Sequence, residues 1–242
     1  MWDSVGAAEV REFAGAAEVT DFAAVGEVRE FAGEFETHLT VAADAASGAE
    51  DRLPRWAERH RVKYTRILLD RGATPDQPML TVSGRGTLSA QRTAALAWTE
   101  RLSADGFAVT RVKIEAAPWN ADVPRTAAEA TALPHGCYFE HHVKLVVADA
   151  AQVASARALA ERHTAHVSRN ARRSLGERGH ARFVTQRCRG VGRPEARRRL
   201  AALVSDLVDS GFAVMEVEAE FVVHDDRPDL DRGWIDERVG GG

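Results

Sequence analysis

The sequence predicts an α+β protein made of two consecutive βαββαβ units related by a pseudo-two-fold axis. Three observations carry that prediction. Residues 35–118 and 138–224 repeat one another, each repeat alternates strand-like and helix-like patterns, and a glycine stands where the second helix of each repeat must end.

The repeat keeps order and spacing across its length. Phe35-Glu36-Thr37-His38-Leu39-Thr40-Val41 matches Phe139-Glu140-His141-His142-Val143-Lys144-Leu145, and Ala57-Glu58-Arg59-His60 matches Ala160-Glu161-Arg162-His163. Thr65-Arg66 matches Ser168-Arg169, Leu80-Thr81 matches Val184-Thr185, and Arg85-Gly86 matches Arg189-Gly190. Gly106-Phe107-Ala108-Val109 returns as Gly211-Phe212-Ala213-Val214.

Each unit opens on an alternating strand, 35–41 or 138–147, followed by a helix at 51–60 or 149–162. Two strands follow, at 62–69 and 79–84, then at 164–170 and 181–188. The next helix carries Leu88, Ala95, Trp98 and Leu102 on one stripe. Its counterpart carries Leu200, Leu203, Val204, Leu207 and Val208, the i, i+3, i+4 spacing of a helix face. Pro194 suits a first helical turn, and Gly106 and Gly211 suit the position after a helix end. A last strand, 107–116 or 212–224, completes the βαββαβ pattern of ferredoxin-like folds.

Outside the repeat, residues 1–34 read as a low-complexity acidic arm, a nine-residue repeat with Phe13, Phe22 and Phe31 on alternating helix faces. Residues 119–137 read as a Pro/Ala-rich linker and 225–242 as an acidic tail containing Asp225, Asp226, Asp229 and Asp231. The arm is the expected contact for any protein partner.

The 242 residues, 45% hydrophobic and 28% charged, suit a globular protein. No apolar run is long enough to span a bilayer, no secretory leader pattern opens the chain, and Cys137 and Cys188 show no metal or disulfide spacing. The expectation is a cytoplasmic protein with no cofactor, no metal and no membrane contact. The net charge of −4 is segregated: residues 163–199 hold eleven arginines against Glu177 and Glu195. Such a segment suits phosphate or nucleic acid.

Strand parity assigns the faces. Phe35, Leu39 and Val41, like Phe139, Val143 and Leu145, belong under the helices; Glu36, His38 and Thr40, like Glu140, His142 and Lys144, belong on the opposite face. In the last strands Val112 and Ile114, like Val217, Ala219 and Phe221, face the helices, while Arg111, Lys113 and Glu115 oppose Glu216, Glu218 and Glu220. The two polar faces are then either solvated, packed on each other, or the walls of a cleft.

His38-Leu39-Thr40-Val41 carries an H-hydrophobic-T-hydrophobic pattern, and His142-Val143-Lys144-Leu145 carries it with lysine for threonine. In this the chain resembles the two-histidine phosphoesterases. The resemblance implies catalytic acid/base roles for His38 and His142 on a cyclic phosphate or phosphodiester, with Thr40 and Lys144 touching phosphate. His141-His142-Val143-Lys144-Leu145-Val146-Val147 also resembles the metal-binding first strand of vicinal-oxygen-chelate proteins, with Glu220 completing a His/Glu site. Tyr138-Phe139-Glu140-His141-His142-Val143-Lys144, Ser168-Arg169-Asn170, Arg182-Phe183-Val184-Thr185 and Asp231-Arg232-Gly233-Trp234 are similar to an uncharacterised group of duplicated bacterial and phage proteins. That similarity brings no activity with it.

The expected function is binding of a phosphorylated ligand or nucleic acid in a polar cleft through Thr40, Lys144, Arg169, Asn170, Arg182 and Arg187. The alternatives are a phosphoesterase built on His38 and His142 and a structural interaction module.

Overall fold

Residues 30–43, 49–171 and 180–234 are described in a computed structural model. The elements run β1 (Ala32–Val41), α1 (Ala49–His60), β2 (Lys63–Leu69), β3 (Asp76–Thr87), α2 (Leu88–Ala104), β4 (Val109–Ala116) and α3 (Ala127–Thr131). They continue β5 (Tyr138–Val147), α4 (Ala150–Arg162), β6 (Ala165–Asn170), β7 (His180–Cys188), α5 (Arg193–Asp209) and β8 (Ala213–Asp225), ending in a 3-10 turn at Pro228–Asp231.

Both long helices stop in the same way. Gly106 and Gly211 adopt φ of +78° and +83°, where a side chain is strained. The following amides, Phe107 and Phe212, donate to Leu102 O and Leu207 O at 2.9 and 3.0 Å. This 6→1 closure drops Phe107 and Phe212 into the cores they share with Leu102 and Leu207. At the start of α2, Thr87 accepts a hydrogen bond from Ala90 N.

Two tandem ferredoxin-like sheets are not what the chain forms. All eight strands join one closed antiparallel barrel in the order β1-β3-β2-β6-β7-β5-β8-β4. The first unit contributes β4-β1-β3-β2 and the second β8-β5-β7-β6. Their outer strands meet in two short junctions. Ile67, Leu68 and Leu69 of β2 pair with Asn170, Arg169 and Ser168 of β6. Lys113, Ile114, Glu115 and Ala116 of β4 pair with Asp225, His224, Val222 and Phe221 of β8. Two separate sheets would leave four unpaired strand edges, and closure removes them.

Closure also divides the side chains into inside and outside. Outside, α1 and α2 bring Trp56 and Leu102 onto Leu39, Val41 and Leu80, and α4 and α5 bring Leu159 and Leu203 onto Val143, Leu145 and Val184. A third cluster of Phe31, Phe35, Ile114, Phe139 and Phe221 ties the β4–β8 junction together. Phe31, read as part of the acidic arm, is 2% exposed beside β1; residues 1–29 lie outside the described residues. Two apolar positions assigned to the helix side are not covered: Val217 is 43% exposed and Val208 53%.

Candidate functional site

The polar face of each unit becomes the lumen. A cavity of about 330 Å³ runs along it, lined by side chains of β1–β8 and by Asp231 and Trp234 beyond β8. Trp234 donates its indole N–H to Val167 O at 3.0 Å and is buried.

The two candidate histidines occupy the same register in both units. His38 lies opposite Thr81 on β3 and His142 opposite Thr185 on β7. Each Nδ1 is bonded to that threonine hydroxyl, at 2.9 Å for His38 and 3.0 Å for His142. The rings are thereby fixed with Nε2 turned inward. Their inner nitrogens differ. His38 Nε2 lies 2.5 Å from Glu115 Oε2, whereas His142 Nε2 stands 3.6 Å from both Glu140 and Glu220, beyond hydrogen-bonding distance. The second histidine therefore presents the more accessible nitrogen to the cavity. Its neighbour His141 points the other way, buried against Gln186 at 3.0 Å, and burial lowers its pKa.

Beneath the histidines lies a network of buried ions. Lys113 Nζ bridges Glu115 at 2.6 Å and Glu140 at 2.5 Å. Arg187 spans Glu140 and Asp231, both at 2.6 Å. Arg111 joins Asp231 at 3.0 Å to Asp225 at 2.6 Å, and Gln77 completes Asp231 at 3.0 Å. Burial raises the pKa of Glu140 and Asp231, but the cations outweigh it, Lys113 and Arg187 at Glu140 and Arg187 and Arg111 at Asp231. Both are held below the usual carboxylate range. The Tyr138 ring lies under the guanidinium groups of Arg189 and Arg187, at 4.1 and 5.0 Å.

Glu220 behaves oppositely. Burial, then the Glu115 charge and a hydrogen bond to Glu115, raise its pKa well above the ordinary value. A raised carboxylate pKa adds stability below its unfolded value, and that stability is lost as pH rises toward the folded value. Glu220→Gln, neutral at every pH, is expected to melt higher than the parent at pH 8 and close to it at pH 4. Melting curves that differ by the same amount at both pH values would refute this.

The residues predicted to bind phosphate separate into two groups. Thr40, Lys144, Asn170 and Arg187 line the cavity with His38 and His142. Their cations are engaged, Arg187 as above and Lys144 with Glu216 at 2.9 Å. Arg169 and Arg182 alternate with luminal Asn170 and Phe183, and so point outward. Arg182 borders a separate groove with Arg157, Asp149 and His180. Arg172, Arg173 and Arg178 fall outside the described residues. Arg111 and Lys113 do not answer Glu216 and Glu218 but the carboxylates named above.

Sequence reading missed Asp225 and Asp231, taken for an acidic tail and found 2% and 4% exposed at the side chain. It also left unassembled the carboxylates of Glu36, Glu115, Glu140 and Glu220. In Gly84-Arg85-Gly86 and Gly190-Val191-Gly192, Gly84 and Gly192 serve packing, while Gly86 and Gly190 supply positive φ of +126° and +63°. A Cβ at Gly84 would stand 2.1 Å from Gln91 Oε1, and one at Gly192 2.3 Å from Arg125 O.

No family model matches the chain, and no curated protein is found similar to it. Among solved structures, a novel heme-binding protein from Thermus thermophilus aligns with 80% of this chain and 92% of its own, at 13% identity and a TM-score of 0.27. That likeness is too slight to inform fold or function. Among the described residues no helix is long and apolar enough to cross a membrane.

Proposed function

We propose that the chain is a barrel that binds one small, polar, non-anionic molecule in its lumen, with His142 Nε2 as a principal contact. One observation carries this: a cavity of about 330 Å³ into which two threonine-oriented histidines open. That volume lies at the small end of the ~300–1,000 Å³ range of ligand pockets. Its wall holds Glu36, Glu140, Glu216, Glu218, Glu220 and Asp231. Lys113, Lys144, Arg111 and Arg187 already face carboxylates, and Lys63 adds one exposed cation to a wall with six carboxylates, so a hydroxyl- or ammonium-bearing ligand is better accommodated than a phosphate. Nucleic acid laid on a sheet needs an open face, and closure leaves the polar face inside.

A phosphorylated ligand is the second reading, and it is favoured at a different place. Arg169 lies close enough to Arg182 to lower its pKa, after the larger effect of burial, so an anion would find two outward guanidinium groups there.

Thermal-shift screening of polyols, amines and phosphates separates the two. A luminal ligand at about 100 times its Kd adds ~2.7 kcal/mol, and His142→Ala should abolish that gain while Arg169→Ala/Arg182→Ala keeps it. Stabilisation by phosphates alone, lost in the arginine variant and kept in His142→Ala, would refute the luminal reading.

A further inference from the structure

Two clusters of ligand-type side chains stand side by side in the lumen. In the first, single oxygen or nitrogen atoms of Glu36, His38 and Glu220 lie within 4.8 Å of one another; in the second, those of Glu115, Glu140 and His142 do. The strand registers make these clusters symmetry mates. Glu36 pairs with Glu115 across β1–β4, and Glu140 with Glu220 across β5–β8. Each cluster thus takes a Glu-x-His from the first strand of one unit and a glutamate from the last strand of the other. The repeat carries Glu-x-His into both units, and closure of the barrel brings a last-strand glutamate of the other unit to each.

The symmetry is broken at one pair of residues. Lys113 lies opposite His38, and Glu218 lies opposite His142. The Lys113 ammonium sits within 2.6 Å of both glutamates of the second triad. In the described structure no side-chain ammonium or guanidinium is within ion-pairing distance of Glu36 or Glu220. Lys113 thus serves the second triad, and Arg187 is divided between Glu140 and Asp231.

We propose that Glu36, His38 and Glu220 bind one divalent transition-metal ion, and that the Lys113 ammonium holds the equivalent place in the twin triad. One imidazole and two carboxylates suit Mn²⁺, Fe²⁺ or Zn²⁺, with open positions left for water or a ligand. Thr81 supplies the outer contact that fixes the His38 ring with Nε2 inward. Glu115, 2.5 Å from that nitrogen, gives up this hydrogen bond when the ion takes its place. Entry is provided by a second, more open cavity of about 780 Å³ that shares Glu36, Lys63, Glu218 and Glu220 with the first. The two mouth residues of the triad are thus reached from solvent, while His38 is 8% exposed behind them.

The test uses the full chain and metal alone, so its outcome is independent of any organic ligand and of the luminal-ligand reading. Titration calorimetry with Zn²⁺ and Mn²⁺ should give one equivalent per chain. Glu36→Gln and Glu220→Gln should each weaken binding at least roughly tenfold, and Thr81→Val by a factor of about ten or more. Co²⁺ should give visible d–d bands that vanish in His38→Ala. Lys113→Met should bind a second equivalent at Glu115, Glu140 and His142, with circular dichroism reporting that it is folded. The inference is overturned if the parent binds no metal, or if Glu36→Gln and Glu220→Gln, folded by the same criterion, bind it as the parent does. One equivalent in folded Lys113→Met overturns the role given to the lysine.

Discussion

Glu140→Ala is expected to lower stability by about 3–5 kcal/mol, the usual cost of removing one partner from a buried ion pair. The carboxylate is 1% exposed and holds both Lys113 and Arg187. Its loss leaves two cations facing the lumen with Glu115 and Asp231 as their remaining partners. Glu140→Gln keeps shape and one acceptor, and should fall between. Denaturant melts of the three proteins check the order. The same network makes the fold acid-sensitive. Glu115, Glu140 and Asp231 all titrate below the usual carboxylate range, because their cations outweigh burial. Lowered pKa values contribute stability present above an unfolded value of ~4 and lost as pH falls further. Stability should therefore fall steeply below pH 4, and a flat profile down to pH 2 would contradict the network. If Glu140→Ala melts like the parent, the ions contribute nothing to the fold.

Trp56→Ala is expected to cost about 3–5 kcal/mol for a different reason, a cavity in the first unit's outer core. Trp56, on α1, is fully buried against Leu102 of α2, Phe107 and the sheet residues Leu39, Val41 and Leu80. It stacks on His60 at 4.0 Å and meets Trp98 and Phe107 edge-on at 6.1 and 6.2 Å. Its indole N–H donates to Asp105 Oδ2 at 2.5 Å, tying α1 to the end of α2. Trp56→Phe should recover the packing and lose the bond, costing about 1 kcal/mol. The two large effects lie in separate layers, so the double variant with Glu140→Ala should be close to additive. Strong coupling between them would mean that the outer core and the lumen unfold as one unit.

The elements and their faces were legible because alternation and helical spacing are local signals. His38 and His142 stood out as retained in equivalent polar positions, and the lumen brings both together. What the sequence could not show was where the sheet edges go. β2–β6 and β4–β8 pairing joins residues about 100 apart, and nothing in Ile67-Leu68-Leu69 names Ser168–Asn170 as its partner. Asp225 and Asp231 were unreadable for the same reason: Arg111 lies 114 and 120 positions away and Gln77 lies 154 from Asp231. A run of aspartates after a strand looks like a tail until its cations are placed. The outward turn of Arg169 and Arg182, by contrast, was available from parity, since each sits one residue from a luminal neighbour.

The two junctions give the barrel a mechanical character that a uniformly laced cylinder lacks. Within the units some neighbouring strands share long ladders, nine paired positions for β1–β3 and nine for β5–β7, against three at β2–β6, four at β4–β8 and four at β6–β7 inside the second unit. Fluctuations of the wall should concentrate at these short ladders, and first at β2–β6, since the cluster around Phe139 and Phe221 braces β4–β8. Amide protons of Leu68 and Arg169 would then exchange with solvent well before those of Leu39 and Val143, and the seams would set how quickly anything enters or leaves.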